Sequence, residues 1–224
     1  MAGSAGYVCA VLLVFNVFRR AGVVPETPVT HAVAPFAALS GLFAITGLYL
    51  LIRSGTGGLG LAGYVLNGAG LAGAFAVEYT LHFVFPSLPG ATVSGLLAGG
   101  TGTAFLVTSA VLLSGVLLFG VAAIRSGTLP VAAVLLYAAG MVPGSLRGVV
   151  PEWAYLGGLV VAAAGIAWMS ARLFAAAGTA DPVRRPAKPA RVEPNAEDPR
   201  GTVVPRGPDS RRGGPAPAAG PPLS

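Results

Sequence analysis

The sequence predicts an all-α membrane protein, a bundle of about six transmembrane helices followed by a disordered tail. Of its 224 residues, 54% are hydrophobic and only 10% are charged. The mean hydropathy of +0.75 is well above that of soluble domains. Several apolar runs reach the roughly 20 residues that a helix needs to cross a hydrocarbon layer of about 30 Å. The charges are also unevenly placed, because the last 49 residues hold eight of the 14 basic and five of the eight acidic groups.

Six apolar runs are candidates for membrane helices. In chain order they are Tyr7–Phe18, Ala32–Ile52, Leu59–Phe85, Thr103–Ile124, Leu129–Val142 and Trp153–Leu173. The run at Leu129–Val142 is short and has Pro130 in its first turn, where a missing N–H group costs little. Tyr7–Phe18 is the weakest, so five helices is the alternative count. It does not fit a signal peptide, because it lacks a basic leader and its arginines follow the apolar stretch.

The chain divides into two parts, a transmembrane bundle at residues 1–175 and a Pro/Arg-rich tail at residues 176–224. From Gly178 onward the tail contains eleven prolines and almost no large apolar side chain. Such a segment cannot bury enough apolar surface to fold alone, so disorder is expected. Its arginines would lie near the anionic headgroups of a cytoplasmic membrane surface.

Arginines predict the orientation of the bundle. The pentapeptide Ile-Arg-Ser-Gly-Thr occurs at Ile52–Thr56 and again at Ile124–Thr128, each time after a long apolar run. We interpret both copies as cytoplasmic stops, in which the arginine reaches the headgroups and Ser-Gly-Thr makes a turn. The positive-inside rule then places the C-terminus in the cytoplasm of a multi-pass protein. Arg19 and Arg20 would fall on the opposite side, which opposes this scheme.

Several classes of function are disfavoured. The charge is too dilute for nucleic-acid binding, and the single Cys9 and two histidines suggest no metal site. Two Gly-x-Gly-x-x-Gly matches, at Gly55–Gly60 and Gly68–Gly73, follow no predicted strand, so we interpret them as close helix packing rather than as nucleotide sites. No cofactor is predicted. Thirteen arginines against one lysine are typical of a GC-rich bacterial genome, so we expect a bacterial inner-membrane protein.

One stretch carries candidate chemistry, Ala74–Phe83. Glu78 and His82 are four residues apart and share a helix face, and Asn67 lies about three turns earlier on that face. A carboxyl group within the hydrocarbon layer is costly and marks a functional candidate. Desolvation favours its neutral form, so Glu78 is expected to hold a proton that it could donate, with His82 as partner.

The predicted topology gathers further candidates at the same outer end. We expect Glu78, His82 and Glu152 as catalytic groups, with Asn67, Tyr79, Arg147 and Trp153 as substrate-binding residues. The alternative is structural: Glu78 pairs with Arg147 and joins two helices, and His82 lies beside an aromatic belt. The expected partners are membrane lipids and a lipophilic small molecule. No oligomeric state follows from the sequence.

The layout resembles a group of small six-helix integral membrane proteins of high-GC Gram-positive bacteria. The resemblance covers about residues 5–175. It lies in Thr30-His31-Ala32 at the start of the second helix, in Gly47–Arg53 at its end, and in Gly120–Pro130 at the end of a later helix. It implies a membrane bundle and no particular activity.

The chain also resembles the integral-membrane terpene cyclases, small helical proteins that protonate an epoxide or alkene with a membrane-embedded carboxylic acid. This resemblance implies that Glu78 and Glu152 are acids and that nearby aromatic rings stabilise a carbocation. The sharpest hypothesis is thus acid-catalysed conversion of an isoprenoid by a metal-independent cyclase-like isomerase or lyase. Two alternatives stay open: a non-catalytic membrane subunit, and a small transporter.

Overall fold

The structure is a computed structural model that describes residues 2–147 and 149–179, and almost all of them are helical. Most of the tail predicted at residues 176–224 therefore lies outside the described residues. The helices are α1 Ala2–Arg20, α2 Pro28–Val33, α3 Phe36–Ile52, α4 Gly57–Tyr79, α5 Gly90–Ala98, α6 Gly100–Ser126, α7 Val131–Gly144 and α8 Glu152–Thr179. The all-α prediction is confirmed for this part of the chain.

Within the part of the chain that the structure describes, four stretches are long and apolar enough to cross a membrane. They are Pro28–Gly55, Gly57–Ser87, Gly100–Ser126 and Glu152–Ala176. Helix α7 is apolar but has only 14 residues. Helix α1 has 19 residues, including the two arginines of its last turn. Helix length and composition therefore support four membrane crossings, whereas the sequence predicts six.

Prolines lie at two places where the observed helices differ from the predicted ones. The run predicted as one helix at Ala32–Ile52 is preceded by the short helix α2, which Thr27 caps in a capping box with Thr30. Pro35 then separates α2 from α3, because it has no N–H group to continue the first helix. Helix α5, which the sequence analysis did not predict, begins after Pro89, packs on α6 and buries none of its residues.

Small residues let the helices approach closely. A Cβ atom added at Gly63 of α4 would lie 2.5 Å from the backbone nitrogen of Phe119 in α6, and one at Gly73 would lie 2.7 Å from Thr108. Gly140 of α7 faces the backbone of α8 in the same way. In the Gly68–Gly73 match, Gly70 and Gly73 therefore serve close packing of α4 on α6, as predicted. The prediction of close packing is wrong for Gly57 in the Gly55–Gly60 match, because a Cβ atom there would meet nothing within 4 Å.

The two Ile-Arg-Ser-Gly-Thr segments lie together at one end of the bundle, where Gly55 approaches Ser126. Their backbones differ. In the second copy Gly127 ends α6 with a left-handed φ of 65°, whereas in the first copy the left-handed residue is Gly57, at φ 53°, one position after the pentapeptide. The start of α1 lies at this same end, because the rings of Tyr7 and Phe174 are 5.7 Å apart. The end of α1, with Arg19 and Arg20, is consequently at the opposite end.

Packing between α4 and α6 generates the first prediction. Replacing Gly63 with Ala should lower the free energy of unfolding by about 1–3 kcal/mol, because the new methyl group meets helix backbone that cannot rotate away. The matched control is Gly95→Ala in α5, where a Cβ atom meets nothing within 4 Å. Thermal unfolding in detergent would compare the two. Equal midpoints for both variants would contradict the close packing of α4 on α6.

Candidate functional site

An apolar cavity of about 120 Å³ lies among the long helices. Its walls include Cys9 of α1, Leu48 of α3, Leu112 of α6 and Met169 of α8. Its polar lining comes mainly from one end of the bundle, from Asn16, Arg19, Arg20, Glu78 and Tyr155. A cavity with apolar walls and a few convergent polar groups is the usual form of a small-molecule site.

Glu78 lines this cavity and also contacts His82. Its Oε2 atom lies 3.1 Å from Nε2 of His82. Glu78 is in the last turn of α4, whereas His82 lies in a single π-helical turn, Thr80–Val84, that continues α4. Such turns are frequent at functional sites. The spacing of four residues brings the two side chains together, as the sequence predicts.

His82 connects Glu78 to a second histidine. The Nδ1 atoms of His82 and His31 are 2.9 Å apart, and their rings meet edge to face. His31 belongs to α2 and is about one third exposed, whereas the His82 side chain is buried. The three groups therefore form a continuous chain of contacts from a partly exposed imidazole to the carboxyl group in the cavity.

Arg19 lies at the centre of this cluster and is only 3% exposed. Its Nη1 atom is 3.3 Å from Nδ1 of His31, and its Nη2 atom is 3.3 Å from Nε2 of His82. The carboxylate of Glu26 lies 3.8 Å from the same guanidinium group. Arg19 therefore ties the end of α1 to α2 and to the π-helical turn.

Two further ion pairs flank the cluster. Arg147 donates a hydrogen bond of 3.0 Å to Oε1 of Glu78, and both side chains are partly buried. Arg20 lies 3.6 Å from Glu152, which is 64% exposed, and its guanidinium group stacks 5.2 Å above the ring of Tyr155. The Glu78–Arg147 pair that the structural alternative requires is thus present.

Donor counting allows two hydrogen-bond arrangements in this cluster, which differ in the position of the proton between Glu78 and His82. In one, Glu78 is a carboxylate that accepts hydrogen bonds from Nε2–H of His82 and from Arg147. In the other, Oε2 of Glu78 carries the proton and donates it to Nε2 of His82.

The structure brings together some of the predicted site residues and separates others. Glu78, His82 and Arg147 meet directly, and Glu152 lies beside them on Arg20. Asn67 is buried deeper, where its amide exchanges hydrogen bonds with the hydroxyl group of Tyr137. Trp153, at 78% exposure, and Tyr79, whose ring packs at a tilt against Phe83, do not line the cavity. The described residues contain no group of three side chains placed to hold a metal ion.

Two residues central to the site were not singled out by the sequence analysis. Arg19 appeared there as a charge that opposed the positive-inside rule, and Asn16 did not appear. Their spacing is a sequence signal, because Asn16 and Arg19 lie three residues apart on one face of a largely apolar helix. Polar groups repeated on one face of a membrane helix usually point into the bundle.

Comparisons with known proteins found no matching family model, no similar curated protein and no similar solved structure.

The two ion pairs generate the second prediction. A double-mutant cycle of Glu78→Gln and Arg147→Gln should give a coupling energy of about 1–3 kcal/mol, because the pair is partly buried and charge-assisted. The matched cycle of Arg20→Gln and Glu152→Gln should give less than about 1 kcal/mol, since Glu152 is largely exposed. Thermal unfolding in one detergent of the seven proteins, the shared wild type, four single variants and two double variants, measures both values. A larger coupling for Arg20 and Glu152 would overturn this ranking.

Proposed function

We propose that this chain is an integral bacterial inner-membrane protein that transfers a proton to a lipophilic molecule in its central cavity. We take α1 and α7 as two further crossings, which gives six in total and a cytoplasmic C-terminus. The arginines at Arg53, Arg125 and Arg172 support this orientation. Arg19 and Arg20 would then lie on the outer side, where acidic groups and histidines compensate them.

One observation carries the proposal: Glu78 is part of the cavity wall and is also the inner end of the His31–His82–Glu78 chain. Oε2 of Glu78 and Nε2 of His82 are 3.1 Å apart. This distance lies within the range of roughly 2.6–3.2 Å over which two side chains can transfer a proton. His31 is the exposed end at which protons from water would enter. A carboxyl group supplied with protons in an apolar cavity suits acid catalysis.

The reaction that fits best is the isomerisation or cyclisation of an isoprenoid, as the resemblance to terpene cyclases implies. The O–H bond of Glu78 breaks, and its proton forms a new C–H bond as the π bond of an alkene opens, or a new O–H bond as a C–O bond of an epoxide breaks. The cation that results loses a proton, which returns to the carboxylate directly or through His82. No further reactant is consumed, and Arg147 stabilises the carboxylate while the cation exists.

The size of the cavity limits the substrate. A cavity of about 150 Å³ in another protein accommodates benzene, and this one, at about 120 Å³, has room for a comparable group. We therefore infer that only the reacting end of a long isoprenoid enters, with the remainder between the helices or in lipid.

A second candidate function rests on the Glu78–Arg147 hydrogen bond of 3.0 Å. In this alternative the ion pair fixes the loop after α7 to α4, and the chain is a non-catalytic membrane subunit or a small transporter. The contacts among His31, His82 and Glu78 would then follow only from the need of the buried Arg19 for hydrogen-bonding partners.

Comparison of lipid extracts provides the third prediction. Cells that supply prenyl precursors would express the wild type or Glu78→Gln, which is nearly isosteric and cannot donate an acidic proton. We expect a terpenoid that is present with the wild type and absent with the variant. His82→Gln should slow its formation, because the proton supply is interrupted.

Membrane levels of all variants must match that of the wild type, because a misfolded protein would also yield no product. Glu152→Gln tests the other carboxyl group. Cells with this variant should still form the product, since Glu152 pairs with Arg20 and not with His31, His82 or Glu78. Identical extracts from wild type and Glu78→Gln, at equal protein levels, would remove the catalytic proposal and favour the subunit or transporter.

A further inference from the structure

A second cavity lies beside the central one, at the end of the bundle that holds the cluster of arginines and histidines. Its volume is about 240 Å³, and its lining residues are Arg20, Arg147, Val150, Glu152 and Tyr155. We call it the flanking cavity. Arg20 and Tyr155 also line the central cavity, so the two spaces lie side by side. The central cavity is mainly apolar, whereas three of the five residues that line the flanking cavity carry a charge.

Two arginines of the flanking cavity can be reached by a ligand. The side chain of Arg20 is 21% exposed and that of Arg147 is 34% exposed. The guanidinium group of Arg20 lies against the cavity wall, 5.2 Å from the ring centre of Tyr155 and 3.6 Å from a carboxylate oxygen of Glu152. Arg147 uses Nη1 for its hydrogen bond to Glu78. Because a guanidinium group has five N–H donors, a single hydrogen bond leaves most of them for another acceptor.

The charge balance at this end of the bundle depends on Glu78. The charged side chains that the structure describes here are three arginines and three glutamates, namely Arg19, Arg20, Arg147, Glu26, Glu78 and Glu152. The proposed function requires Glu78 to hold a proton before the reaction. In that state three cations face two carboxylates, even with both histidines neutral. Since Glu26 lies beside Arg19 and Glu152 beside Arg20, the uncompensated charge is that of Arg147.

The chemistry of the flanking cavity favours a phosphate group as the anion. A carboxylate has two oxygens, which one guanidinium group can bind as a pair. A phosphate monoester has three acceptor oxygens and a charge between about −1.5 and −2 at neutral pH, so it suits a cavity with two arginines. Arginine is also the side chain whose planar fork matches phosphate geometry. The carboxylate of Glu152 competes for Arg20, but it is largely exposed and is free to turn toward solvent.

The central cavity favours a lipid as the carrier of this phosphate. Its walls are mainly apolar, and its volume of about 120 Å³ has room for one end of an isoprenoid. Arg20 and Tyr155 belong to the walls of both cavities. A phosphorylated lipid with its head at Arg147 would therefore have its chain beside the space that Glu78 lines.

We propose that the flanking cavity binds a phosphate group through Arg20 and Arg147, either on a lipophilic molecule or as free phosphate. The inference rests on the proposed function in one respect, because the charge balance takes Glu78 as protonated. It also deepens that function, since a phosphorylated isoprenoid becomes the substrate class. Binding of the phosphate would favour the protonated form of Glu78, because Arg147 would then have another anion as its partner.

The test uses the full chain in dodecyl maltoside, a detergent without charge or phosphate. The probes are decyl phosphate, inorganic phosphate, decan-1-ol and decanoic acid. Decyl phosphate should raise the thermal midpoint of the wild type by about 5–10 °C at a hundredfold excess over Kd. Decan-1-ol and decanoic acid should raise it much less. A shift from decyl phosphate alone identifies a phosphorylated lipid as the source, whereas an equal shift from inorganic phosphate identifies free phosphate.

Variants that remove one charge locate the site. Arg147→Gln should weaken the apparent affinity for decyl phosphate by about ten- to a hundredfold, because a charge-assisted contact is lost. Arg20→Gln should act in the same direction, and it tests the site independently should Arg147→Gln fail to fold. Arg125→Gln is the matched control, since it removes the same charge from the last turn of α6, at the opposite end of the bundle. It should keep the affinity of the wild type. Glu152→Gln should bind more tightly, because it removes the carboxylate that competes for Arg20.

Glu78→Gln separates this site from the catalytic step. The substitution makes this position permanently neutral, so the variant should bind decyl phosphate at least as tightly as the wild type while it forms no terpenoid. A wild type that forms a terpenoid without binding either phosphate probe would leave the proposed function intact and remove only this site. Phosphate binding without any terpenoid would keep the site and remove the catalytic proposal.

Four results would overturn the proposal. Equal shifts from decan-1-ol and decyl phosphate would show that only the hydrocarbon chain is recognised. An equal shift from decanoic acid would show an anion site without preference for phosphate. An equal loss of affinity in Arg125→Gln and Arg147→Gln would show a general effect of charge. No shift from any probe would show that the flanking cavity contains only solvent.

Discussion

The burial of Arg19 constrains the site more than any other feature of the fold. The guanidinium group of Arg19 is only 3% exposed, in a bundle of apolar, membrane-length helices. It is stable there only if hydrogen-bonding or acidic partners lie close by. Glu26, His31 and His82 supply them, from the loop after α1, from α2 and from the π-helical turn after α4. The requirement to satisfy one cation thus assembles segments that are far apart in sequence, and the contact of His82 with Glu78 extends the assembly to the cavity.

The cavity and the close helix packing have a common origin in residue size. Glycines at Gly63 and Gly70 let α4 lie directly on α6. Small residues of α3, such as Ala37 and Gly41, instead line the cavity. Glu78 lies between these regions, on the cavity side of α4, and its carboxyl group is reached through His82. Packing therefore decides which side chains share the cavity, and the buried charge of Arg19 decides which polar groups gather at its end.

The all-α class and the contact between Glu78 and His82 could be predicted from the sequence, and each has a local cause. Apolar length and arginine stops predicted the helices, and the spacing of Glu78 and His82 predicted their contact. Sequence reasoning did not find the deep burial of Asn67 against Tyr137, because a polar residue on the right face can serve either the core or the cavity. The role of Arg19 was also hidden, since only its neighbours in space compensate its charge. Helix α5 has no buried face, so apolar periodicity could not mark it.

Nitrogen-15 NMR of the two histidine rings, in bilayers, tests the central claim most directly. His31 does not touch Glu78, and His82 is the residue that contacts both of them. The account predicts that this substitution changes the ring nitrogen shifts of both histidines, because a shared proton is lost from the chain. A change confined to His82, with the signals of His31 as in the wild type, would contradict a connected proton path from the exposed imidazole to the cavity.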